Sequence, residues 1–236
     1  MYSIVYKTSE KWKKKSGDTN ALNTDWLFET DNEYGFPVVR SSPNFSAVDL
    51  LPFHMAKSLL KDDLNKAVHF FIDDYKFEQI WRTPFKYVPM FLKYGNIVSP
   101  DFSVWSVQPY TLNLFNMYRS RWCARFYQEM GVNVLIDVRW ADKSTWNYCF
   151  SGIEKHTPVI LNTVGTKLRA NRQMFIDGFY EMLKRIEPSK LYVYGEYMPV
   201  KFEGYFDKVT YFDSFWAKQR AKNKDKNKLI FIEICL

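Results

Sequence analysis

Short apolar, β-prone runs recur along the chain, and between several of them the residues are spaced for a helix. The runs are Phe36–Arg40, Val68–Asp74, Asn96–Phe102, Asn133–Trp140, Pro158–Gly165, Lys190–Glu196, Lys208–Asp213 and Lys228–Cys235. Several are continuously apolar, as in Val134-Leu135-Ile136 and Val159-Ile160-Leu161, rather than alternating. Continuous apolar runs mark strands buried on both faces, as in parallel sheets covered by helices. The helical patterns are equally plain. Leu114, Met117, Tyr118, Trp122, Phe126 and Met130 advance in steps of three and four, and Gly131 suits the residue after the last turn. Phe175, Phe179, Met182, Leu183 and Ile186 form a second stripe ahead of Pro188. Trp146 and Phe150 suggest a shorter helix.

This alternation predicts an α/β fold of repeated β/α units, since the starts of the central units lie near the roughly 30 residues of a βαβ unit. Eight candidate strands in 236 residues fit a small or degraded (β/α)8-like barrel, whose usual length is about 250 residues. The alternative is an open doubly wound parallel sheet, because Lys190–Glu196 and Lys208–Asp213 are too close for a full crossover helix. Residues 1–35 read as an N-terminal extension. Residues 36–236 read as a single α/β domain with a basic segment at 218–228.

Charge sharpens this picture. The net charge is +7, and two short segments carry all of it. One holds Lys7, Lys11, Lys13, Lys14 and Lys15 against Glu10. The other holds Lys218, Arg220, Lys222, Lys224, Lys226 and Lys228 against Asp225. The remaining chain is slightly acidic. Lysine clusters attract phosphate backbones, so Lys13, Lys14, Lys15, Lys222 and Lys224 are candidate nucleic-acid contacts; a solvated surface is the plain alternative. Aromatic residues reach 19%, enough for a large core. No apolar run approaches the roughly 18–20 residues of a membrane span, and no secretory signal opens the chain. Cys123, Cys149 and Cys235 show no paired spacing. A reduced, cytoplasmic protein without a membrane partner is expected. His54, His69 and His156 lack ligand spacing, and no organic cofactor is indicated.

In either architecture a ligand site lies beyond the C-terminal ends of the parallel strands. Those ends read Ile72-Asp73-Asp74-Tyr75, Ser99-Pro100-Asp101-Phe102-Ser103, Asp137-Val138-Arg139-Trp140, Asn162-Thr163-Val164-Gly165-Thr166 and Tyr194-Gly195-Glu196. Neighbouring strands lie about 4.8 Å apart, so carboxylates ending them can converge on Mg²⁺ or Mn²⁺ or divide as acid and base. Helix N-caps are the structural alternative for such Asp residues. The catalytic candidates are Asp73, Asp74, Asp101 and Glu196, with Asp73 and Asp101 as metal ligands. Arg119, Arg121, Trp140, Thr163, Gly165, Tyr194 and Gly195 are candidate substrate contacts, the arginines through forked hydrogen bonds to phosphate.

Several of these stretches occur together in a known family. His-Phe-Phe-Ile-Asp-Asp-Tyr-Lys-Phe-Glu-Gln-Ile-Trp (69–81), Ser-Pro-Asp-Phe-Ser (99–103), Asn-Met-Tyr-Arg-Ser-Arg-Trp (116–122), Val-Arg-Trp (138–140), Thr-Val-Gly (163–165) and Tyr-Gly (194–195) follow in order. The set resembles the domain of unknown function 4417 family of bacteria, phages and mobile elements, over roughly residues 45–196. Ile136-Asp137 stands where that family carries an apolar residue followed by Pro, so the resemblance does not extend to Asp137. It implies a phage or mobile-element context and no particular reaction.

Two functions are therefore expected. One is a Mg²⁺-dependent enzyme acting on nucleic acid or a nucleotide phosphate, of the phosphoesterase or nuclease kind. The other is a non-catalytic phage protein that binds nucleic acid or a host protein. A barrel handling a small molecule or sugar is a third.

Overall fold

The computed structural model describes residues 21–58, 65–221 and 223. Seven strands form one sheet: β1 (Asp49–Pro52), β2 (Lys66–His69), β3 (Asn96–Val98), β4 (Asn133–Asp137), β5 (Pro158–Asn162), β6 (Lys190–Tyr194) and β7 (Val209–Phe212). Every neighbouring pair is parallel and the spatial order is the chain order. Right-handed crossovers in that order put every connection on one face. The sheet therefore curls into a nearly closed barrel, and the open doubly wound alternative is excluded.

The strands are apolar on both faces because both are buried. Leu50, Ala67, Val98, Leu135, Ile160, Tyr192 and Phe212 fill the interior. Leu51, Val68, Ile97, Val134, Val159 and Leu191 face the helices. No ladder joins β7 to β1 among the described residues. Phe45 crosses that gap, its ring 5.3 Å from that of Tyr192 and its carbonyl accepting the Tyr192 hydroxyl at 3.1 Å. Lys218 pairs with Asp49 across the same gap.

The helices are α1 (Phe53–Ala56), α2 (Gln79–Arg82), α3 (Val88–Tyr94), α4 (Tyr110–Glu129), α5 (Trp146–Cys149) and α6 (Arg169–Ile186). The stripe from Leu114 lies on α4, which ends with Gly131 at φ +88°. α6 ends one residue earlier than Pro188 requires, at Glu187 in the left-handed conformation. β6 reaches β7 with only a 3-10 turn at Phe202–Gly204 between them, so a parallel neighbour here needs no crossover helix.

Two strand readings change. Phe36–Arg40 is not a strand: Phe36 and Val39 are buried, and Val39 makes a single bridge to Ile153. β1 lies instead at Asp49–Pro52. The run Lys228–Cys235 lies outside the described residues. Part of the expected N-terminal extension is packed: Phe28 is buried and the Trp26 carbonyl accepts the Trp122 indole N–H at 2.7 Å. On the rest of α4, Arg119, Arg121 and Arg125 are buried, engaged by Glu78, by the carbonyls of Cys149 and Ser151, and by Glu129. No helix among the described residues is long and apolar enough to cross a membrane.

Candidate active site

A cavity of about 220 Å³ opens at the C-terminal ends of β3, β4 and β5, lined by Asp101, Arg139, Trp105, Trp140, Asn162 and Gly165 among others. The loop after β3 continues the ladder for one residue, Ser99 N–H donating to Leu135 O. The Ser99 hydroxyl then accepts the Asp137 N–H at 2.8 Å. This locks the end of β3 to the end of β4 and sets Asp101 beside Asp137. Asp137 is in phase with Leu135, so its carboxyl enters the barrel mouth.

Both acids are buried, 7% and 4% exposed, and hydrogen-bonded to each other. Burial pushes the Asp101 carboxyl up to about 6, against the pull of Arg139 and of hydrogen bonds from Asp137 and Asn162. Burial and the Asp101 charge hold Asp137 well above the usual carboxylate range. Two carboxyls in one dry site cannot both ionise, so near neutrality they share a proton. Arg139 Nη1 lies 2.5 Å from Asp101 and also donates to the carbonyls of Asp101 and Phe102 at 3.2 Å. Burial works to lower the Arg139 pKa, but Asp101, Asp137 and Asp74 together hold it above its ordinary value. Its Nε is buried without an acceptor among the described residues, and no N–H reaches Asp137 Oδ1.

The other walls come from β5 and α6. Asn162 Oδ1 accepts the Val164 N–H, Asn171 caps the Gly165 carbonyl at 3.2 Å, and Gly165 has φ +87°. Trp140 packs on Phe175, ring centres 5.1 Å apart, and donates to the Met174 carbonyl.

Of the residues singled out in the sequence, the fold brings Asp101, Trp140 and Gly165 to this cavity. Thr163 is buried behind it, bonded to the Tyr194 carbonyl through its N–H and hydroxyl. Gly195 is required there, because a Cβ would stand 2.3 Å from Thr163 Oγ1. Tyr194 turns into the barrel, its hydroxyl accepting the Phe215 N–H. Asp74 braces the β3 loop by accepting both the N–H and the hydroxyl of Ser103. Arg119 pairs with Glu78 at 2.7 Å and lies over the Phe102 ring. Arg121 donates to the carbonyls of Cys149 and Ser151; both arginines are fold-holding. Glu196 is engaged by Arg220 and Ser214.

Asp73 is exposed and held by Lys76 at 2.6 Å, while Asp101 is held by Arg139. No group of three or more His, Cys, Asp or Glu residues stands in a metal-binding arrangement among the described residues. Lys13, Lys14, Lys15, Lys222 and Lys224 lie outside the described residues. His69 is buried against Tyr194, and burial drives its imidazole down to about 3. The Cys149 thiol is pushed up to about 12 by burial.

A family model matches residues 28–213. The chain belongs to the family described as Domain of unknown function (DUF4417). The match extends the resemblance seen from residues 45–196 on both sides, and takes in every strand and the whole cavity. DUF4417 has phage-encoded relatives of this chain. The Gene 1 protein of Mycobacterium phage L5 is 31% identical over 80% of this chain and 83% of its own length. The Gene 1 protein of Mycobacterium phage D29 is 29% identical over 93% of this chain and 81% of its own. No solved structure matches.

Asp137 and Arg139, which complete the site, were absent from the sequence-based set. Their signal was period two: Asp137 falls in phase with the interior residue Leu135.

Proposed function

We propose that this DUF4417 protein is an enzyme that performs acid–base chemistry on a phosphate-bearing substrate, a nucleotide or nucleic acid, in the cavity beside β3, β4 and β5. The observation that carries the reading is the buried pair of carboxyls, Asp101 and Asp137, next to Arg139. A carboxyl titrating near 6 suits proton transfer near neutral pH, and a pair holding one proton supplies an acid and a base together. In a phosphoryl or glycosyl transfer, one carboxyl takes the proton of the attacking water and the other protonates the leaving oxygen. The Arg139 guanidinium, which lines the cavity, offers a charge-assisted hydrogen bond to an anionic oxygen of the substrate. The Mg²⁺ or Mn²⁺ expected from Asp73 and Asp101 would have to displace Lys76 and Arg139 from them, so the ion pairs favour metal-independent chemistry.

The test is incubation of the full chain with a panel of mononucleotides and short oligonucleotides, with and without EDTA, followed by phosphorus NMR and chromatography. A product should form in EDTA, and about 10²–10⁴-fold more slowly in Asp101→Asn. No product from any substrate, or full rate in a folded Asp101→Asn, refutes the reading.

A further inference from the structure

Resting on that reading, we infer that the cavity takes a single free nucleotide, its base stacked on Trp105, rather than a length of nucleic-acid strand. Trp105 sits on the loop between β3 and α4 and is 58% exposed. The loop beneath it is not loose. Asn113, 3% exposed, accepts the Trp105 N–H at 3.2 Å and donates to the Trp105 carbonyl at 2.9 Å. Both halves of a buried amide thus fix the backbone under an exposed ring at the rim of the cavity. A ring whose backbone is already immobile loses little freedom when a flat partner stacks on it. The remaining walls are Val138, Trp140, Met174 and Phe175, apolar surfaces suited to a base or the edge of a sugar.

Size and charge then separate one nucleotide from many. The cavity, about 220 Å³, is smaller than the roughly 300–1,000 Å³ of pockets for drug-sized ligands. Among the described residues Arg139 is the single cation lining it, and Asp101 already compensates it. A groove that tracks a strand needs a series of cations, one for each phosphate it neutralises. The stretch 102–118, which carries Trp105 and the exposed Val107, Tyr110 and Leu112, contains no charged residue at all. The rim on that side can meet a ring and offers no ion pair to a second phosphate.

The test is calorimetric titration of the full chain with AMP, GMP, CMP and UMP, with ribose 5-phosphate, and with a twelve-residue single strand at low and high salt. At least one mononucleotide should bind, with ribose 5-phosphate about tenfold or more weaker and the strand no tighter than the mononucleotide. Trp105→Ala should lower mononucleotide affinity about tenfold, Trp105→Phe should restore most of it, and neither should change affinity for ribose 5-phosphate. A strand that binds more tightly and weakens steeply with salt overturns the inference. So does failure of all four mononucleotides to bind, or their indifference to Trp105→Ala. If oligonucleotides are turned over while mononucleotides neither bind nor react, acid–base catalysis stands and this inference falls. If mononucleotides bind as expected but a folded Asp101→Asn turns over at full rate, the opposite holds.

Discussion

The two halves of the barrel mouth are built from the ends of different strands of one sheet and are finished in different ways. Beyond β2, β6 and β7 the opening is packed with rings. His69 lies 4.9 Å from Tyr194, Phe71 stacks on Tyr194 at 4.7 Å, and the Tyr194 hydroxyl is satisfied by Phe215. Beyond β3, β4 and β5 the corresponding space is left open, beside the buried acids Asp101 and Asp137 and an Arg139 Nε that has no acceptor among the described residues. Close packing and satisfied hydrogen bonds are what stability favours. Departure from both around Asp101 and Arg139 is what marks the candidate site.

The sharpest way to break this contrast is to empty the filled half. Tyr194→Ala should cost about 3–5 kcal/mol in denaturant unfolding, whereas Trp105→Ala, at the open half, should stay within about 0.5 kcal/mol. Equal losses at the two positions would erase the distinction. A smaller effect is expected where α6 meets the cavity wall. A Cβ on Gly178 would fall 2.0 Å from the Trp140 indole nitrogen, so Gly178→Ala should cost about 1–3 kcal/mol and weaken ligand binding by displacing Trp140. An unchanged melting temperature would show that the wall yields freely.

The smallest effect concerns the shared proton. Asp101 and Asp137 both hold protons more tightly in the folded protein than in the unfolded chain. Their contribution to stability is therefore complete below about pH 4 and is lost as pH rises through about 6 for Asp101, and further up for Asp137. Asn cannot ionise. Asp137→Asn should therefore melt above wild type at pH 8, by on the order of 1 kcal/mol, with the difference closing towards pH 4. A difference that grows towards acid would mean that the pair is ionised in the fold.

The barrel was largely legible, because burial of both strand faces writes itself as continuous apolar runs. Five of the eight runs contain the observed strands β3 to β7, and Val68–Asp74 overlaps β2 only at Val68 and His69. β1 was missed because Asp49-Leu50-Leu51-Pro52 is short and ends in Pro, while Phe36–Arg40 mimicked a strand because burial beneath a loop selects the same residues. The site was half legible. Position at a strand end located Asp101, Trp140 and Gly165, yet the same rule could not tell a free acid from an engaged one. Glu196 is taken by Arg220, Arg119 by Glu78 and Arg121 by the Cys149 carbonyl. Those partners are distant in sequence, so only the folded chain reveals them.

Because the sheet is wound in chain order, every residue assigned to the cavity falls between Asp101 and Phe175. Three consecutive β/α units therefore supply the whole described lining of the cavity. Pocket and barrel wall are thus one continuous inheritance: the stretch that lines the cavity also contributes β4 and β5 to the sheet, so the lining and its support vary together.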